Sequence, residues 1–165
     1  MKQESNLLEN ITIAIAIFAT GIMAGFFYTY TFNINPAMMQ VDGVTYATMQ
    51  SLFNVNVRHF MFFIFFFGSG AAAVIAVLAN IRRYKSPVFW LIVIAGLVYI
   101  LGIIAYTANV NLPLNAYIES WNPTALPSDW EATRDAWNQA NAIRVGTSWT
   151  AFGLYLLALL MRTND

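Results

Sequence analysis

The sequence predicts an all-α fold, a four-helix transmembrane bundle with a short helical extracytoplasmic cap. Three observations carry that reading. Of 165 residues, 59% are hydrophobic and 10% charged, far from a soluble average. Asp, Glu, Lys and Arg are absent between Glu9 and Asp42, from His59 to Ile81, from Ser86 to Ile118 and from Val145 to Met161. A helix rising ~1.5 Å per residue needs ~20 residues to cross a ~30 Å hydrocarbon core, so each stretch can span, the last only just. Backbone groups inside a bilayer must be satisfied within the segment, which makes these stretches helices rather than strands. The chain then reads as a single membrane domain over residues 1–165, with spans near 11–32, 60–81, 88–108 and 143–161.

The first span carries Gly21 and Gly25, a small-xxx-small spacing that lets a neighbouring backbone approach closely. Tyr28 and Phe32 extend that face by steps of three and four. The span is too long for a cleaved signal peptide, and Glu4 and Glu9 flank it where a basic run would stand. Pro36 is expected to end this helix. Tyr46 to Val57 reads as a short amphipathic helix lying at the interface.

The second span begins near Arg58 with Phe60, Phe62, Phe63, Phe65, Phe66 and Phe67, then turns small from Gly68 to Ala73. That pattern fits a cavity floor or a lipid-facing aromatic belt. Pro87 suits the first turn of the third span. Before the fourth, Ser128-Asp129-Trp130-Glu131 is a capping-box pattern after Pro127, which places a helix start at Ser128. With no breaker before Gly146, this helix should run directly into the last span.

Charge sets orientation. Lys2, Arg82, Arg83, Lys85 and Arg162 share one side, and Arg58, Arg134 and Arg144 the other. The basic bias puts both termini and the short second connection in the cytoplasm. The two longer connections then face the periplasm of a bacterial inner membrane, or a lumen in a eukaryotic host. A net charge of zero gives no argument for nucleic acid, and zero cysteines exclude disulfides, iron–sulfur clusters and thiolate zinc sites.

Ten of the fourteen asparagines lie in the two longer connections: Asn33, Asn35, Asn54, Asn56, Asn109, Asn111, Asn115, Asn122, Asn138 and Asn141. Polar groups near hydrocarbon are costly unless paired, so neutral amides crowded at one end of a bundle point to a built pocket. On the last helix Arg134, Trp137, Asn141, Arg144 and Ser148 recur at steps of three and four, a polar stripe where a lipid-facing one would be apolar. Such a stripe suits the wall of a site for an oxyanion, carboxylate or phenolate, or arginines snorkelling to lipid phosphates. In Asn109-Val110-Asn111-Leu112-Pro113-Leu114-Asn115 the proline is expected to break the helix. The flanking amides would satisfy the freed carbonyls, as structural caps or as inward-facing ligand contacts.

His59 is the single histidine, beside Arg58 at the outer mouth. It suits a general base, since an unperturbed imidazole titrates near ~6.5, or a heme axial ligand, or an interfacial polar residue. A copper site using His59 with Met38, Met39, Met49 or Met61 has thin support from one histidine and scattered methionines. No hydrolase triad, HExxH, glycine-rich phosphate loop or paired-carboxylate motif is present.

The Asn-Val-Asn-Leu-Pro-Leu-Asn run, followed by Trp121, Trp130, Arg134, Trp137, Asn141 and Arg144, resembles the four-helix membrane family that includes the anthrone oxygenases of aromatic polyketide pathways. The segment from Gly21 to Asn35-Pro36 is also similar. The resemblance covers nearly the whole chain and implies cofactor-free chemistry, in which a deprotonated phenolic substrate reacts directly with O₂. It also implies that Asn111, Asn115, Trp137, Asn141 and Arg144 line the site. The expected function is therefore a membrane oxygenase-like enzyme acting on a small hydrophobic aromatic or phenolic molecule that arrives through the bilayer lipid. Arg144 and Arg134 would stabilise the oxyanion, Asn111, Asn115 and Asn141 would orient the substrate, and Trp137 would stack on it. Tyr28 is placed among the substrate-binding residues, and His59 would take the proton. No cofactor or metal is expected, with heme at His59 as the alternative. The rival is a non-catalytic membrane subunit holding a lipid, quinone or heme in a homo-oligomer or larger complex.

Overall fold

The computed structural model describes residues 2–162, with side chains from residue 7 onward. Four helical runs are long and apolar enough to cross a membrane: Leu7–Met38, Phe60–Ala79, Pro87–Glu119 and Trp130–Arg162. No strand occurs among the described residues.

Two of the spans run through their prolines. The first is composite: α1 (Lys2–Thr29), a π-helical turn (Tyr30–Ile34) and α2 (Asn35–Met38). Pro36 does not end it. A proline lacks the N–H and crowds the carbonyl four residues back, but the wider π turn just before it takes up that conflict. Pro36 then sits in the first turn of α2, where the missing donor is tolerated. The third span repeats the device: α5 (Pro87–Tyr99), π-helical turns at Ile100–Ala105 and Thr107–Asn111, then α6 (Leu112–Glu119) with Pro113 in its first turn. The stretch around Pro113 is therefore a wound π turn, not a broken one. Asn109 Nδ2 donates to the Ala105 carbonyl at 2.7 Å, the kind of repair expected where the regular ladder is disturbed.

The remaining elements are α3 (Gly43–Asn56), α4 (Phe60–Ala79), a 3₁₀ turn (Ile81–Arg83) and α7 (Trp130–Arg162). Asp42 caps α3, its carboxylate accepting the Thr45 N–H at 2.8 Å. The helix buries Tyr46, Ala47, Gln50 and Asn54 along one face. α7 starts two residues after Ser128. The Asp129 carbonyl accepts Thr133 N–H at 2.9 Å, and its carboxylate accepts the Tyr117 hydroxyl at 2.9 Å. Asp129 thus stands at the helix entrance, and α7 runs unbroken to Arg162.

α1 packs against α4 and α7, and α5 packs against the same two, so the spans close a ring with antiparallel neighbours. Small side chains let the helices close at the end holding the 3₁₀ turn: Ala16, Ala72, Ala73, Ala76, Ala95 and Ala158 pack around Ile13, Ile92 and Tyr155. Above them Met23, Phe27, Phe66, Tyr99 and Ile103 fill the middle. At the far end α3 packs on α6 and forms the cap, with Tyr30, Tyr46, Trp121 and Trp137 in its core. The glycine pair of the first span divides. A Cβ on Gly21 would meet the Phe152 ring at 3.0 Å, so that ring would have to give way slightly, whereas Gly25 faces open space. A closer approach joins the third span to α7: a Cβ on Gly102 would lie 2.8 Å from the Thr147 methyl, and the Thr147 hydroxyl donates to the Gly102 carbonyl at 3.3 Å.

The 3₁₀ end also holds a buried ionic cluster. The Glu9 carboxylate accepts from Arg83 Nε at 2.9 Å and from the Arg162 guanidinium. Arg162 also donates to Asn80, whose Nδ2 donates to the Ala76 carbonyl at 2.8 Å.

Candidate functional site

A cavity of about 320 Å³ lies at the cap end, walled by the π turn of the first span, α3, α4, the third span and α7. Most of its wall is aromatic, with Phe26, Phe53, Phe62 and Phe66 among the rings. Polar groups reach it at Tyr30, Asn54, Arg58, Thr107, Asn115, Asn141 and Arg144. Apolar walls with a few convergent polar groups are the usual composition of a small-molecule site.

Arg144 is the centre of the polar set. Its guanidinium carbon lies 4.7 Å from the Phe27 ring centroid and 5.8 Å from that of Trp137, a cation–π arrangement on both sides. Nη2 donates to Asn141 Oδ1 at 2.6 Å. Asn141 is itself fixed, its Nδ2 donating to Thr31 Oγ1 at 2.6 Å and to the Phe27 carbonyl at 3.4 Å. Nε is buried without a hydrogen-bond partner. The other buried arginines, Arg134 and Arg162, each meet a carboxylate, while Arg144 meets none among the described residues. Trp137 is held from the other side, its Nε1 donating to Asn115 Oδ1 at 2.6 Å.

A second chain of hydrogen bonds crosses the cap. The Tyr30 hydroxyl donates to Gln50 Oε1 at 3.3 Å, and Gln50 Nε2 donates to Asn54 Oδ1 at 3.1 Å. At the rim Arg58 makes a paired contact with the Glu119 carboxylate, bridging the α3–α4 connection to the end of α6. Behind the cavity, burial above all holds the Tyr46 phenol above its ordinary range, with the nearby Tyr30 hydroxyl adding to the effect.

The residues singled out in the sequence divide. Asn115, Trp137, Asn141 and Arg144 converge on the cavity. Asn111 is fully buried with both amide atoms unpartnered, but it does not line the cavity wall. Arg134 turns into the cap, pairing with Asp135 at 3.0 Å and lying 5.2 Å over Trp130. Tyr28 stacks on Trp149 with ring centroids 5.6 Å apart and is 41% exposed, away from the cavity. His59 caps α4, its Nδ1 accepting the Phe62 N–H at 3.3 Å, and borders a separate shallow groove with Ile22 and Met61. Among the other asparagines, Asn56 bonds the Leu52 carbonyl at 2.8 Å and Asn122 folds its own loop through Thr124. Tyr30, Gln50, Arg58 and Thr107 are positions without a sequence-predicted role in binding, and Asn54 entered only as one of the ten amides pointing to a pocket. Gln50 and Asn54 had a signal, two amides four residues apart on the same face as Tyr46.

The sequence model of one family, anthrone oxygenase, matches residues 50–154. The chain belongs to the anthrone oxygenase family. The matched stretch supplies the α3, α4, third-span and α7 walls of the cavity, and only the first-span wall lies outside it. No curated protein and no solved structure matches the chain. The four apolar spans make it an integral membrane member of that family.

Proposed function

We propose that this protein is an oxygenase-like membrane enzyme that binds a small hydrophobic aromatic or phenolic molecule in the cap-end cavity and holds it as an anion against Arg144. One observation carries the reading: a buried arginine faces an aromatic cavity with no carboxylate among the described residues to balance it. A buried unpaired charge is costly, and a ligand oxyanion removes the cost. Fixed donors aimed at a developing oxyanion are the strongest common device of such catalysis. Asn141 and Trp137 position the guanidinium, Asn115 positions Trp137, and the aromatic rings accept the body of the substrate. Stabilising the anion lowers the substrate's pKa, so its proton passes to a water molecule rather than to a basic side chain, and the anion meets O₂ as the family resemblance implies.

The route is through the bilayer. Phe63, Phe67 and Leu112 line the cavity and are 41%, 53% and 48% exposed, so the wall between α4 and the third span reaches the lipid-facing surface. The Arg58–Glu119 pair and α3 cover the cap side. Both termini are assigned to the cytoplasm and the cap to the opposite face of a bacterial inner membrane, on the Lys/Arg bias. Because the chain has no cysteine, single-cysteine variants test this directly. Asp42→Cys and Asn122→Cys should label from outside and Tyr84→Cys only from inside. The opposite pattern inverts the topology.

One observation favours the rival reading, a binding subunit for a lipid or quinone: among the described residues no carboxylate or imidazole lines the cavity. Oxygen uptake decides between them. Purified protein in nanodiscs is given anthrones and hydroquinones, beside the Arg144→Ala variant. Uptake by wild type well above the variant supports the enzyme. Equal rates across all substrates, with copurified lipid or quinone, make it a binding protein.

A further inference from the structure

Asn54 is 3% exposed, yet it lines the cavity and its Nδ2 has no hydrogen-bond partner. Its other amide atom is committed: Oδ1 accepts from Gln50, whose Oε1 accepts from Tyr30. The relay fixes which way the amide faces and leaves a donor as the spare group. Across the third-span wall the Thr107 hydroxyl is likewise buried, unpartnered and cavity-lining. Buried donors left unmet are rare because each forfeits its hydration, so such groups in a cavity wall mark contacts that a ligand completes.

We propose that Asn54 is a specificity-determining contact, donating through Nδ2 to a carbonyl oxygen of a ligand whose anionic oxygen lies at Arg144. The wall thereby favours ligands that carry a neutral acceptor oxygen set apart from the anionic one. Thr107 is a supplementary donor to the neutral oxygen. Gln50 and Tyr30 act through Asn54 as positioning residues. This rests on the oxyanion reading of Arg144, but it concerns a different wall, α3 rather than α7.

The discriminating ligands are hydroxyxanthones with the hydroxyl at different ring positions, and the matching hydroxyxanthenes, which lack the carbonyl. Binding to full-length protein in nanodiscs is read anaerobically from tryptophan quenching, so turnover does not enter. Losing a donor that serves a buried neutral acceptor should weaken ketone binding about tenfold. Asn54→Leu should therefore weaken the best hydroxyxanthone about tenfold and leave the hydroxyxanthenes within about twofold. Asn54→Asp keeps the shape and the acceptor for Gln50 but removes the donor, and it should lose at least as much ketone affinity. It guards against a folding defect in the leucine variant. Gln50→Leu should give a smaller loss in the same direction. Arg144→Ala should weaken both ligand series together. Equal effects of the Asn54 variants on ketones and xanthenes, or none, overturn the assignment while leaving Arg144 in place. A wild-type protein that binds neither series overturns both.

Discussion

α7 carries a buried arginine at each end of the bundle, and the two have opposite surroundings. Arg144 and Arg162 are 18 residues apart (162 − 144), which at ~3.6 residues per turn is about five full turns, so both leave the helix on the same face. Arg162 is met by Glu9 and Asn80, and Arg83 shares the same carboxylate. Arg144 is met by one asparagine and two aromatic faces. At the 3₁₀ end the chain closes its charges on itself and small residues shut the space around them. At the cap end the charge opens onto a cavity. Burial of a charge alone does not mark a site; the missing counter-ion does.

The two ends would be alike if Glu9 could be removed without loss of stability. Removing one partner of a buried ion pair leaves the other stranded, at a cost of about 3–5 kcal/mol. Glu9→Ala should lower thermal stability in detergent steeply and reduce yield, with Glu9→Gln falling between. A near-normal melting profile for Glu9→Ala would mean that Arg162 finds water instead, and the two ends would then be alike.

Arg144→Ala should behave in the opposite way, leaving thermal stability close to wild type because no carboxylate is stranded. If turnover depends on the oxyanion, the rate should fall ~10²–10³-fold, as for loss of a preorganised donor. Arg144→Lys should restore only part of it, since a point charge cannot reproduce the planar fork. A variant that unfolds would place Arg144 with the structural residues.

His59 sharpens the contrast further. It lies outside the cavity and serves as an N-cap. His59→Gln should cost about 1 kcal/mol of stability and leave turnover unchanged. A loss of ~10²–10⁴-fold, the range for a general base, would bring the imidazole into the chemistry.

The smallest effect concerns Asp42. The Thr45 N–H, then the Thr45 hydroxyl at 3.2 Å, hold its carboxyl below the ordinary range. A folded pKa lower than the unfolded one contributes stability above the unfolded value, and that contribution is lost as pH falls through the folded one. Protection against amide exchange at the start of α3, taken relative to the intrinsic rate at each pH, should therefore fall at acid pH in wild type, and Asp42→Asn should flatten that dependence.

The bundle was legible because charge-free length and burial obey one rule across a bilayer, and the uninterrupted α7 followed from the absence of a breaker. The prolines misled because a proline's local rule is absolute only for an α ladder, and a π turn changes the ladder before the proline is reached. The Arg144 side of the site was legible as a periodic stripe on one helix. Tyr28 and Arg134 share such periodicities, but helix faces also pack against each other and the cap, which spacing cannot distinguish. Asn54 and Thr107 come from separate elements, and their meaning lies in which hydrogen bonds their neighbours have already taken.

The π turns also set a phase. Each residue added to or taken from a helix turns everything beyond it by about 100°, and the turn at Thr107–Asn111 stands immediately before α6. Deleting one residue there would leave a span long enough for the membrane yet rotate α6 as a block. Asn115 would swing away from Trp137 and Glu119 from Arg58, contacts that hold the stacking ring and the rim. Membrane insertion and site assembly are thus read from the same segment by different measures, length for one and angle for the other. A length change too slight for the bilayer to register is enough to dismantle the cavity.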